Sequence, residues 1–277
     1  MTLRPGSLPW LLAHDLTLHW RRFMEVFARL STAATWVTLA AGTAVLHLVA
    51  WPVARWLVGQ IEGGGAERTS TAAVLVASVL AWMVAQGLLG MARSLQERGS
   101  SDLLFSSPLP VRLVLASRAL AMVASSFGSV GLLVLPVANM CALIGGPVWL
   151  AAYPALLALS LIGTTAGMSA AIGLFLVLEP RRARMVAQLC AAFAGGAFLL
   201  GAQVVAMLPE GARALVNAYI AGSNAAALLD VGSIGWLAAF AVILAAWAIV
   251  LLSDGFLRAS LRAASASGEG AASRGLP

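Results

Sequence analysis

Six long apolar stretches dominate this chain, at about 34–49, 71–91, 119–144, 149–178, 185–208 and 232–252. A helix needs about 20 mostly apolar residues to cross the hydrocarbon of a bilayer. In hydrocarbon the backbone has no water to bond, so each stretch must satisfy its own amides and carbonyls as a helix. Only 10% of the 277 residues are charged, against about 25% in an ordinary soluble domain. That leaves too little polar surface to wrap a water-soluble globule. The expectation is an all-α polytopic membrane protein with six transmembrane helices and no separate soluble domain.

The segment before the first span has a different pattern. Leu12, Leu16, Trp20, Phe23, Phe27 and Leu30 recur at steps of three and four. His14, Asp15, His19, Arg21, Arg22, Glu25 and Arg29 occupy much of the opposite side. This spacing predicts an amphipathic helix within residues 1–33, lying in the membrane interface with its apolar face in lipid. No short apolar core with a small-residue cleavage site follows Met1, so no signal peptide is expected. The transmembrane domain is expected over 34–253, and an Ala/Ser/Gly-rich tail over 254–277 is expected to be disordered.

Charge sets the orientation. All 17 basic residues are Arg, a Lys-free composition that suggests a GC-rich bacterial genome and hence a bacterial inner (cytoplasmic) membrane. With six spans, fourteen of them fall on one side: the N-terminal segment, the 93–118 loop, the 181–184 loop and the tail. Arg55, Arg68 and Arg213 fall on the other. The positive-inside rule then puts both termini in the cytoplasm. Merging or splitting one span would scatter the arginines over both faces. The +6 net charge is accounted for in this way. No basic aromatic stripe accompanies it, and no nucleic-acid partner is expected.

The chemistry of enzymes is missing. There is no HExxH and no GxSxG, no paired carboxylate lies within a span, and no lysine is present to complete a P-loop. No catalytic, cofactor-binding or metal-ligating residues are expected, and any ATP hydrolysis would belong to another polypeptide. Cys141 and Cys190 sit in apolar blocks without a CxxC neighbour and read as small hydrophobes. His47 reads as a satisfied interfacial histidine. Uncharged polar residues do occur within spans. Ser125, Ser129, Asn139, Thr164, Thr165 and Gln203 are candidates for a substrate path. They read equally as interhelix hydrogen-bonding groups. Gly163, Gly167, Gly173 and the Gly195-Gly196 pair read as sites of close helix packing.

The 93–118 loop carries the most information. Ser100 or Ser101 can cap a short helix that starts with Asp102, and Pro108 and Pro110 stop it. Val111 then restarts a helix into the third span, with Arg112 and Arg118 marking the interface. Exposed Leu103, Leu104 and Phe105 are costly in water unless a partner covers them.

The run Asp102-Leu103-Leu104-Phe105-Ser106-Ser107-Pro108-Leu109-Pro110-Val111-Arg112 resembles the cytoplasmic loop of ABC-2 type (type-2 exporter-like) ABC transporter permease subunits. His14-Asp15-Leu16-Thr17-Leu18-His19-Trp20-Arg21 resembles their elbow helix. The resemblance implies a membrane-spanning permease subunit of an ATP-driven exporter. It implies a separate P-loop ATPase carrying ATP and Mg, and a second permease half, identical or not. It also implies an ATPase-docking surface at Glu97, Asp102, Leu103, Leu104, Phe105, Ser106 and Ser107. Arg181, Arg182 and Arg184 are a second candidate surface, and read equally as topology anchors. An ATP-independent secondary transporter and a non-transporting scaffold subunit remain as alternatives.

Overall fold

The computed structural model describes residues 7–25, 27, 31–62, 65–96, 110–212, 214, 215, 218 and 231–272. Seven helices longer than a few turns run through them: α1 (Leu8–Glu25), α2 (Thr32–Glu62), α3 (Gly65–Gln96), α4 (Val111–Gly145), α5 (Ala152–Val177), α6 (Pro180–Met207) and α7 (Val231–Ala272). A 3-10 turn, Pro147–Ala151, joins α4 to α5. No strand occurs among the described residues. Five of the helical segments are long and apolar enough to cross a membrane: Thr32–Gln60, Ala73–Gln96, Val111–Gly145, Pro147–Val177 and Ser233–Ala263. The chain is thus an all-helical, multi-pass membrane protein. The fifth expected span forms α6, a helix of 28 residues, but α6 is not among those five.

α3 and α5 form the centre of the bundle. α3 packs most extensively on α5 and then on α6, α5 also packs on α7, and α2 packs chiefly on α4. The α3–α5 seam is made by glycine. A Cβ on Gly163 would stand 2.6 Å from the Met83 Cβ, and one on Gly87 would stand 2.7 Å from the Thr164 carbonyl oxygen. A Cβ on Gly167 would reach 2.5 Å from the Leu88 nitrogen and come closer still to the Val84 oxygen. The two backbones touch, so dispersion and close approach hold the pair where lipid offers no hydrophobic gain. The expectation for Gly163 and Gly167 is met. Gly173, Gly195 and Gly196 face open space instead.

The largest core lies at one end of this bundle. Leu95 of α3, Leu115 of α4, Phe175 of α5, Ala183 of α6 and Phe256 of α7 are all buried there in one cluster. Smaller clusters continue toward the other end, around Met83 and Val130, and then around Ala54, Val58 and Cys141.

Two boundaries differ from those expected. α2 does not stop near residue 49 but runs through Pro52 to Glu62. Proline removes only one helical hydrogen bond, and Ala54, Leu57 and Val58 pack beyond it against Cys141 and Trp149. At 31 residues α2 is about 46 Å long, longer than the hydrocarbon is thick. α7 likewise continues past Leu252 to Ala272, so the first part of the expected disordered tail is helical. Its buried Phe256, Ala259, Ser260 and Ala263 recur every three or four residues, which gives this end of the helix a packed face. α1 ends at Glu25. Of the stretch 209–231 before α7, only 209–212, 214, 215, 218 and 231 are described.

Candidate functional site

Four segments separated in sequence meet at the core end of the bundle. α3 ends at Gln96 and α4 begins at Val111, so both ends of the 97–110 connection sit here. Arg118 binds them together. Its guanidinium donates to the Ser94 hydroxyl, and to the Ser94 carbonyl oxygen at 3.4 Å. Ser94 lies in the last described turn of α3. A cation at that end also matches the helix dipole. Arg118 therefore caps α3 from the first turns of α4.

The same residue reaches α7, where its guanidinium carbon stands 5.7 Å from the centroid of the Phe256 ring, within cation–π range. The residue before it, Ser117, is buried and donates to a carboxylate oxygen of Asp15 on α1 at 2.7 Å. Ser117 and Arg118 together join α1, α3, α4 and α7.

A second arginine repeats the arrangement. Arg262 of α7 donates to the carbonyl of Leu176 in the last turn of α5. The chain then turns through Leu178 and Glu179 into α6. Arg181, Arg182 and Arg184 stand exposed in the first turns of α6, and Arg182 pairs with Glu179 at 3.6 Å. Three cations at a helix N-terminus oppose its dipole, so this surface suits an anionic environment. The described arginines of the 93–118 region, of 181–184 and of 258–262 are thereby gathered at one end of the bundle.

α1 is seated on a mixed face, with Leu8, Leu11 and Leu12 half-buried alongside Asp15. Asp15 is half-buried toward α4, while Leu16, Leu18 and Trp20 are exposed. Of the expected apolar face, Leu16 and Trp20 are exposed, as an interfacial helix requires, and Leu12 is half-buried.

The expected docking residues Glu97, Asp102, Leu103, Leu104, Phe105, Ser106 and Ser107 lie outside the described residues. The expected path residues do not come together. Ser125 and Ser129 are exposed on α4, and Ser129 donates to the Ser126 carbonyl at 3.1 Å. Thr164 is buried in the α3–α5 seam, and its hydroxyl has no hydrogen-bond partner. Thr165 lines a cavity of about 260 Å³ between α5 and α7, with Ser169, Trp247 and Leu251. Gln203 falls in α6, with its side chain outside the described set. Asn139 is engaged at the opposite end of the bundle, with His47 and Tyr153.

Sequence reasoning missed Ser94 and Ser117, and saw Arg118 only as an interface marker. Small polar residues near helix ends carry little signal until their partner helix is known. Comparisons with protein-family models, with curated proteins and with solved structures found no match.

Proposed function

We propose that this chain is the membrane-spanning permease subunit of an ATP-driven ABC exporter of the ABC-2 type. In this reading it has six spans, with both termini in the cytoplasm of a bacterial cell and the chain in the inner membrane. It pairs with a second permease half and with a separate P-loop ATPase that carries ATP and Mg.

The observation that supports the reading is the Ser94–Arg118 tie. A partner seated on Asp102, Leu103, Leu104 and Phe105 would grip a loop whose two ends are joined to each other. Through Ser117 and Phe256 those ends are also joined to α1 and α7. Movement of the ATPase would then displace several helices together rather than flex one loop. Arg181, Arg182 and Arg184, exposed at the same end, extend the surface available to it. The segment carries no nucleotide motif of its own, and in this reading its use is mechanical.

The test is co-purification with a Lys-containing P-loop ATPase encoded beside this chain. Wild type is compared with Asp102→Ala/Leu104→Glu. Loss of the complex, or of coupled ATP hydrolysis, in the double variant is expected. Equal complex formation and equal coupling in both proteins would sink the reading.

A further inference from the structure

At the end of the bundle opposite Arg118, three side chains from three elements form one directed hydrogen-bond chain. His47 of α2 has Nδ1 2.8 Å from the Thr43 carbonyl oxygen. Its Nε2 lies 3.2 Å from Nδ2 of Asn139 on α4. The Tyr153 hydroxyl, in the first turn of α5, donates to Oδ1 of Asn139 at 2.8 Å. Asn139 is about 30 Å along α4 from Arg118, at 1.5 Å per residue, about one hydrocarbon thickness.

The direction of the chain is set from one end. A carbonyl oxygen can only accept, so His47 Nδ1 carries a hydrogen. Neutral imidazole then offers Nε2 as an acceptor. Asn139 must turn its amide NH₂ to that nitrogen and its oxygen to Tyr153. In this arrangement all three groups are satisfied with His47 neutral.

We propose that His47, Asn139 and Tyr153 form a pH-sensitive latch that holds α2 on the α4–α5 corner and lets go when His47 is protonated. Uptake of a proton at Nε2 replaces the acceptor with a donor facing the donating NH₂ of Asn139. To accept from Nε2–H, the Asn139 amide must flip, and its NH₂ then confronts Tyr153, whose hydroxyl must find another acceptor.

The new charge also has no counter-ion on the helices that hold it. α2, α4 and α5 carry no carboxylate among their described side chains. The groups around His47 are Asn139 from α4, with the Cys141 thiol beyond it against Ala54, and Tyr153 from α5. Arg55 is exposed two turns further along α2, and Arg93 of α3 lies at the far end of the bundle. The side chains of Glu62, Glu67 and Arg68 fall outside the described residues. An unpaired charge in this setting is costly, and water offers the imidazolium a better place.

α2 is the element such a change would release. It packs chiefly on α4 alone, and Trp36, Val37, Leu48 and Val49 along it are exposed. His47 and Asn139 are only half-buried. The latch does not depend on the proposed transport activity.

Spin labels at Val53→Cys on α2 and Val148→Cys beside α5, both exposed positions, report the latch in vesicle-reconstituted protein carrying Cys141→Ala and Cys190→Ser. Between pH 8 and pH 5 the parent should shift to a longer label distance, as a one-proton transition. His47→Gln should show one distance distribution at both pH values. Asn139→Asp supplies a carboxylate to the imidazolium and should keep the short distance at pH 5. The proposal fails if the parent does not respond to pH, or if either variant responds as the parent does. The Asn139→Asp arm decides the matter should His47→Gln not fold.

Discussion

The Ser117 hydroxyl donates to a carboxylate oxygen of Asp15 at 2.7 Å across 102 positions of sequence. The bond fastens an interfacial helix to a spanning one, and its acceptor is charged. Hydrogen bonds to charged groups contribute about 1.5–3 kcal/mol. Asp15→Ala should therefore free α1 from α4 and lower stability by about that amount. Asp15→Asn, which keeps an acceptor, should lose less than half as much. Limited proteolysis within α1, in detergent micelles, reads the difference. Equal protection of wild type and Asp15→Ala would mean that the bond does not hold the helix.

Gly167 admits no side chain. Its Cβ would stand 2.5 Å from the Leu88 nitrogen, and both neighbours are backbone that cannot turn aside. Gly167→Ala should cost about 1–3 kcal/mol by overpacking. Gly173→Ala, six residues along the same helix with nothing within 4 Å of the new carbon, should be neutral or gain up to about 1 kcal/mol in helix propensity. Thermal unfolding of the purified variants checks the pair, and a reversed order would contradict the seam.

Arg118 separates docking from transmission. On the proposed reading, Arg118→Ala should leave the ATPase bound while lowering transport-coupled ATP hydrolysis about tenfold, equivalent to about 1.4 kcal/mol. Arg118→Lys keeps the charge but loses the planar, multi-donor reach to Ser94 and the stacked contact with Phe256. It should recover only part of the coupling. Loss of ATPase binding in Arg118→Ala would instead make the residue part of the docking surface itself.

Orientation is open to a direct measurement. A reporter active only in the cytoplasm should work when fused after Pro277 or inserted within 97–109. A reporter active only outside should work when inserted at Gly146. The opposite pattern at any of the three sites would break the six-span parity and the assignment that rests on fourteen arginines against three.

The membrane character of this chain was legible in its sequence, because apolar runs and sparse charge act residue by residue. The amphipathic pattern of α1 and the small residues Gly163 and Gly167 were legible for the same reason: a period of 3.6 and a missing Cβ are local facts. Local facts also misplaced two ends. The first apolar run looked finished at about residue 49, and the Ala/Ser/Gly-rich stretch over 254–277 looked like a loose tail. Each helix continues because a distant partner packs on it, Cys141 and Trp149 in one case and the five-helix core in the other. The polar residues show the same division. Asn139, Thr164 and Thr165 resemble one another as letters, yet one joins a directed chain, one is sealed in a seam and one lines a cavity. Which helix lies alongside decides that, and the partners come from as far as 92 and 102 positions away. Sequence alone determined that these helices must live in lipid. Only tertiary packing decided that Ser94 and Arg118 tie one end of the bundle and that His47, Asn139 and Tyr153 tie the other, because a hydrogen bond exists only where two chain segments bring donor and acceptor within about 3 Å.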